Sequence, residues 1–268
     1  MISNAPNSSI KIKLAEGLAF NAAAQSVEWM QYSCRSGFHA SAISQLIVDF
    51  VESRPASAFF DVGVQYGYFS LLVSATARGK SFAYAFEADA GKFAALQANI
   101  SVNPQLLTII PLRSNAGEFD LSALPRSHHD RCLRGDQHNV EMVDLGCIDD
   151  FCRKRNVSPQ LMRIDLGGYE GWALKGMAET INSDCPFFLK LYSDRRLIPY
   201  GHTQADVLKW LLDRELQVFD LRGFRRYQRR RMKKVMTWRL RSAIESDEDA
   251  PMLVSRHDIR EYWPDLLI

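Results

Sequence analysis

The sequence has no apolar run near the roughly 20 residues that a bilayer-spanning helix requires. Its first ten residues are polar at Ser3, Asn4, Asn7, Ser8 and Ser9, and no basic segment leads into an apolar one. No export signal is therefore read, and a cytoplasmic location is expected, with at most a peripheral contact at the inner face of the membrane. Cysteine is sparse and odd in number: Cys34, Cys132, Cys147, Cys152 and Cys185, with no C-x-x-C pair. That excludes a disulfide framework and leaves buried or incidental thiols. The six histidines are scattered, and although His128 and His129 lie near Cys132, none has the spacing of a zinc site, so no metal is expected.

Acidic residues are missing from one stretch. Arg222 to Arg241 carries ten basic residues and none of opposite sign, while the whole chain has 33 Lys+Arg against 31 Asp+Glu. Without that stretch the body has 23 basic and 31 acidic residues, a charge of −8 hidden behind a net +2. The total suggests neutrality, and the distribution instead suggests a local basic patch on an acidic body. Hydrophobic residues at 47% and charged residues at 24% are ordinary for a globular chain, so a packed core is expected.

The first 55 residues read as helical. Ala15 to Met30 is rich in Ala, Leu, Glu and Gln, and His39 to Val51 places Ile43, Leu46, Ile47 and Phe50 at helical spacing until Arg54-Pro55 stops the pattern. The rhythm then changes. Short apolar runs at Ala58–Val62, Phe82–Phe86, Leu106–Leu112, Val140–Leu145, Leu161–Leu166, Cys185–Tyr192, Gln217–Leu221 and Pro251–Ser255 alternate with helical stretches at Tyr68–Ala77, Ala90–Ile100, Ile148–Arg155, Tyr169–Met177 and Thr203–Arg214. Strands alternating with crossover helices predict an α/β fold with a parallel sheet. Ser114 to Val140 reads as a long loop, a length that in a compact domain is often functional. The division expected is a helical cap over 1–55 and one α/β domain over 56–268, with a basic insertion at 222–241.

The residues with the clearest chemistry are Phe60-Asp61-Val62-Gly63-Val64-Gln65-Tyr66-Gly67-Tyr68, a buried strand passing through a glycine turn into a helix. Glycine allows a ligand to approach the backbone closely, and open α/β sheets bind ligands at the carboxyl ends of their strands. Glu87 ends the next strand, 26 positions after Asp61. A carboxylate there can accept both hydroxyls of a ribose, so turn and acid together point to a nucleoside-containing cofactor. The turn is not the G-x-G-x-x-G that a dinucleotide's pyrophosphate requires. S-adenosylmethionine has no phosphate and tolerates Gln65 and Tyr66 in the turn.

These segments resemble the FkbM-type methyltransferases, which are class I and S-adenosylmethionine-dependent. Asp61-Val62-Gly63 with Gly67-Tyr68-Phe69-Ser70 is similar to the family's DVGANxGYxS, and Ala85-Phe86-Glu87 to its AFEP. Ile148-Asp149-Asp150-Phe151 is similar to LDDF, and Ile164-Asp165-Leu166-Gly167-Gly168-Tyr169-Glu170 with Ala173-Leu174-Lys175-Gly176 to IDVEGYE…VLKG. The four motifs run in the family's order over roughly Phe59 to Met177.

The resemblance implies a Rossmann-like, mostly parallel seven-stranded sheet with helices on both faces. It implies that Asp61, Gly63, Gln65, Tyr66 and Gly67 shape the methionine side of a cofactor pocket, that Glu87 holds the ribose and that Asn115 meets the adenine edge. Asp165 and Glu170 would stand at the methyl group or the acceptor. The sequence departs from the pattern at Gln65, at Ala88 and at Gly168, which is read as replacing a carboxylate. Another acid expected near Leu191 is also missing. The implied activity is O-methylation of a sugar, glycan or natural-product hydroxyl. The alternatives are a catalytically degenerate nucleoside-binding scaffold and, more weakly, a nucleic-acid methyltransferase, for which no NPPY-type motif is found. His128, His129 and His202 are further candidate bases.

Arg222 to Arg241 places Phe224, Tyr227, Val235 and Trp238 on one face of a helical wheel, opposite most of the arginines. Three readings stay open for such a basic amphipathic helix: an insertion packed on the body, a contact with an anionic membrane surface or lipid-linked glycan, or a contact with nucleic acid. The resemblance favours a small-molecule or glycan partner over nucleic acid.

Overall fold

A computed structural model describes residues 9–115, 142–144, 148–222, 233–235 and 248–264. The chain divides into two compact units, 1–113 and 114–268.

The first unit opens with a hairpin. Strands β1 (Ser9–Ala15) and β2 (Leu18–Ala23) pair antiparallel around Glu16-Gly17, with Gly17 in the left-handed region at φ +73°. Helices α1 (Val27–Ser33) and α2 (Ser41–Ser53) follow, and α2 buries Ile43, Leu46, Ile47, Phe50 and Val51. The expected helical cap is thus corrected: its first half is strand. The sequence signal was Ile10-Lys11-Ile12-Lys13-Leu14, whose period of two buries Ile12 and Leu14 and exposes the lysines. Helix propensity in Ala15 to Met30 gave way to tertiary pairing.

Next come β3 (Ala58–Val62), α3 (Tyr68–Ala77), β4 (Phe82–Glu87), α4 (Ala90–Ser101) and β5 (Ile109–Asn115). β3 pairs parallel with β4, and β4 parallel with β5. This is a βαβαβ half of the Rossmann-like kind. β5 begins three residues later than the apolar run from Leu106 suggests, because Asn103 and Leu106 close a turn first (Leu106 N–H to Asn103 C=O, 2.8 Å).

The second unit contains β6 (Met142–Asp144), α5 (Ile148–Arg155), β7 (Leu161–Ile164), α6 (Glu170–Gly176), α7 (Ala178–Asn182) and β8 (Phe187–Leu191). It continues with α8 (Asp194–Leu197), α9 (Gln204–Leu212), β9 (Gln217–Asp220), β10 (Lys233–Val235) and β11 (Ala250–Ser255). β7 and β8 are parallel, the mark of a crossover connection. β11 runs antiparallel between β8 and β9, and β10 antiparallel along the other side of β9. The last turns of the chain are therefore antiparallel. Lys233–Val235 is a strand rather than part of an amphipathic helix, since its backbone pairs with Val218 to Asp220. The rest of the basic stretch after Arg222 lies outside the described residues, as do residues 116–141 with His128 and His129, while Ser114 and Asn115, read as the start of a loop, end β5. Arg222 itself is bound to Asp220 (Nε to Oδ2, 2.9 Å). Among the described residues no helix is long and apolar enough to cross a membrane, and no group of three His, Cys, Asp or Glu could hold a metal ion.

Candidate functional site

In the first unit the glycine turn hangs from the carboxyl end of β3. The N–H groups of Gly63 and Val64 both donate to the Phe86 carbonyl, at 2.9 and 3.1 Å, so the turn is anchored to the neighbouring strand. Gly63, Gln65 and Gly67 all have positive φ, at +82°, +55° and +86°. For Gln65 this left-handed backbone is uncommon and strained, a condition that clusters at ligand sites. A side chain at Gly67 would put its Cβ 2.5 Å from Leu96 Cδ1, so α3 starts tight against α4.

Two carboxylates brace this turn. Asp61 is fully buried and accepts from Ser70 Oγ at 2.9 Å, tying β3 to the first turn of α3. Glu87, 5% exposed, accepts the Gln65 N–H on one oxygen (2.7 Å) and the Asp89 N–H on the other (2.9 Å). Burial pushes its carboxyl above the usual carboxylate range, against the opposing pull of Asp89, Lys92 and Gln65. An ionised carboxylate has about four acceptor positions, so these two bonds leave capacity for a ligand's hydroxyls. Asn115 closes β5, and its side chain lies outside the described residues.

Tyr66 is held by aromatic and carboxamide neighbours. Its ring lies 5.3 Å from that of Trp29, which in turn meets His39 at 5.0 Å. Its carbonyl accepts from Asn99 Nδ2 at 2.7 Å. Asn99 is fully buried, and its Oδ1 accepts the Ala23 N–H and the Ser26 hydroxyl, both at 2.7 Å. The hairpin, α1, α4 and the glycine turn therefore meet in one carboxamide. Sequence reasoning missed Trp29, His39 and Asn99. The available signal was Asn99 itself, a polar residue in helical register with the apolar Phe93 and Leu96.

In the second unit the end of β7 carries Asp165, 9% exposed. One of its oxygens forms an ion pair with Arg163, and the other accepts the Tyr192 hydroxyl at 2.7 Å. Tyr192 follows β8, and burial with the nearby Asp165 carboxylate raises its pKa, so it acts as a neutral donor. Glu170 is fully enclosed. Its Oε1 accepts the Leu166 N–H at 2.9 Å and its Oε2 the Gly168 N–H at 3.0 Å. Burial raises its pKa from 4.5 to about 7. Its geometry suits a brace for the turn after β7, with Asp165 as the carboxylate nearer to solvent. His202 lies against Trp172, ring centroids 5.3 Å apart, and burial lowers its pKa. Asp149 of the LDDF-like segment accepts the N–H groups of Glu179 and Thr180 at 2.9 and 2.8 Å, and so orders the start of α7.

The missing carboxylate belongs one residue earlier than Gly168. Gly168 has φ +125°, and a Cβ there would meet the Arg196 carbonyl oxygen at 2.3 Å and the Tyr200 ring at 2.7 Å. Only glycine fits. Gly167, at φ +70°, has nothing within 4 Å of a Cβ, and matching Tyr169-Glu170 to the motif's YE also places the family's acid there. At the second missing acid, Leu191 is buried, and the next residue, Tyr192, supplies the group that reaches Asp165. Arg163 and Tyr192 were not read from the sequence as site residues. An arginine inside the apolar run Leu161–Leu166 was the signal, because a buried charge requires a partner.

No family model matches the chain, and no curated protein matches it. Among solved structures, precorrin-6y C5,15-methyltransferase from Geobacter metallireducens is similar at 11% identity and a TM-score of 0.45, over 80% of this chain and 88% of that one. A SAM-dependent methyltransferase from Aquifex aeolicus is similar at 10% identity and a TM-score of 0.44, over 81% and 87%. Aeropyrum pernix fibrillarin, in complex with S-adenosyl-L-methionine, is similar at 10% identity and a TM-score of 0.43, over 79% and 74%. These are likenesses of overall shape, and the functional reading below rests on side chains and backbone.

Proposed function

We propose that the protein is an S-adenosylmethionine-dependent methyltransferase of the FkbM type, acting on a hydroxyl of a sugar, glycan or natural product. The observation that carries this reading is Glu87, held at the end of β4 by the backbone of a glycine turn at the end of β3. Its two protein bonds fix the carboxylate's direction and leave acceptor positions for a ribose. Three of the turn's residues are left-handed, and at the two glycines no side chain stands over the backbone.

S-adenosylmethionine, when bound, supplies an already activated sulfonium methyl group. What the protein must add is alignment and a destination for the acceptor's proton. Gly63 to Gly67 and Glu87 would hold the nucleoside. Asp165, fixed from two sides by Arg163 and Tyr192, would orient the acceptor hydroxyl and take its proton. Glu170 would keep the loop carrying Asp165 in place through Leu166 and Gly168.

Calorimetric titration with S-adenosylhomocysteine tests this. Micromolar binding is expected, and Glu87→Ala should weaken it about tenfold, or roughly 1.4 kcal/mol. No binding to the folded protein would remove the reading.

A second reading is a non-catalytic nucleoside-binding scaffold. It is favoured by Gly167, which has no side chain where the resemblance implies an acid, and by the buried Leu191. Tight S-adenosylhomocysteine binding with no methyl transfer to any hydroxyl in a broad acceptor panel would support it.

A further inference from the structure

Lys190 and Arg196 both rest over the ring of Tyr192, with the ammonium 4.4 Å and the guanidinium carbon 4.8 Å from its centroid. Neither cation forms an ion pair among the described residues. This is unexpected at this point in the fold. They flank a phenol that is bonded to Asp165, at the carboxyl ends of β7 and β8, where open sheets receive ligands. The charge of Asp165 is already matched by Arg163. The other nearby acids are committed to backbone: Asp194 to the Gln204 N–H at 2.6 Å and Asp249 to the Ser193 N–H at 3.0 Å. Glu170 points inward to its own turn. The positions where the FkbM resemblance implies acids carry Gly167 and Leu191. The strand ends therefore carry two cations with no direct ion-pair partner among the described residues, where that pattern would put acids.

We propose that these strand ends receive an acceptor that itself bears an oxyanion, a carboxylate or phosphate, held by Lys190 and Arg196 beside Tyr192. The inference rests on the methyltransferase reading for what happens to the acceptor, but the anion site stands on its own geometry. A flexible ammonium and a planar guanidinium on one aromatic platform suit an anion with several oxygens. The ring limits where each cation can lie, and so reduces the ordering that binding requires.

The test is calorimetry at low salt, with S-adenosylhomocysteine titrated first and then three sugars: glucuronate, glucose 6-phosphate and glucose. One of the two anionic sugars should bind at least about tenfold more tightly than glucose. Which one binds distinguishes carboxylate from phosphate. The double variant Lys190→Gln/Arg196→Gln, changed only at partly or fully exposed side chains, should lose that preference while keeping its S-adenosylhomocysteine affinity and its melting temperature. Equal binding of all three sugars, binding of none, or a preference that survives the double variant would each overturn the proposal. If the anion binds as expected and S-adenosylhomocysteine does not, the anion site stands and the cofactor reading falls.

Discussion

The two units solve the same local problem with the same device. In each, a strand ends in a glycine-containing turn that gives at least one N–H to a glutamate. Glu87 takes Gln65 and Asp89 in the first unit, and Glu170 takes Leu166 and Gly168 in the second. The difference lies in what surrounds the turn. At Gly67 the obstacle to a side chain is the end of a leucine, whereas at Gly168 it is a backbone carbonyl and a tyrosine ring. Glu87 keeps a margin of exposure and Glu170 keeps none. The first turn can give way at a side chain, whereas the second is closed in by backbone behind Asp165.

The largest effect should come from the glycines. Gly168→Ala should cost about 3 kcal/mol or more, from left-handed strain together with a clash that backbone cannot relieve. Gly67→Ala should cost about 1–2 kcal/mol, since Leu96 can turn aside. Thermal melts of the two variants measure the contrast, and equal losses would break it.

Next in size is a pH dependence. The Glu170 carboxyl has a folded pKa of about 7 against 4.5 unperturbed, so the folded state keeps a proton that the unfolded chain has released. Stability therefore falls as pH rises from about 4.5 through about 7, by about 3 kcal/mol once both states are ionised. Burial of Glu87 acts in the same direction. Glu170→Gln should flatten most of this slope in denaturant titrations, and an unchanged slope would place it elsewhere.

A smaller effect, about 1–2 kcal/mol, is expected from Tyr192→Phe, which leaves a buried oxygen of Asp165 without its donor. Urea midpoints would show it. The smallest is local to function: Glu87→Gln keeps an acceptor but donates where the turn also donates. It should weaken S-adenosylhomocysteine binding several-fold, by about 1 kcal/mol, and leave the second unit's pH slope intact.

Much of this was legible in the sequence. Apolar runs between glycine and proline punctuation marked β3, β4, β7, β8, β9 and β11 because strands buried on both faces are nearly continuous in apolar residues. The positions of Asp61, Gly63, Gly67 and Glu87 at two strand ends and in the turn between were legible because they follow from local spacing along one βαβ unit. The N-terminal hairpin was not legible in its second strand. Leu18 to Ala23 has a helical composition, and pairing with β1 together with hydrogen bonds to Asn99 and Asn103, about 80 residues away, makes it extended. Tyr192 escaped notice for a similar reason, because its partner Asp165 is 27 positions distant and on another strand. The departure at Gly168 was misplaced by one residue because two adjacent glycines look alike in sequence. Backbone φ and free space distinguish them.

The Asn99 carboxamide has one more consequence. Its three bonds join the amide of Ala23, the hydroxyl of Ser26 and the carbonyl of Tyr66, so the N-terminal hairpin and the glycine turn share one anchoring side chain. The exchange rate of the Ala23 amide with solvent deuterium would then report the integrity of a turn more than forty residues away, and a ligand that tightens the turn should slow exchange at the hairpin.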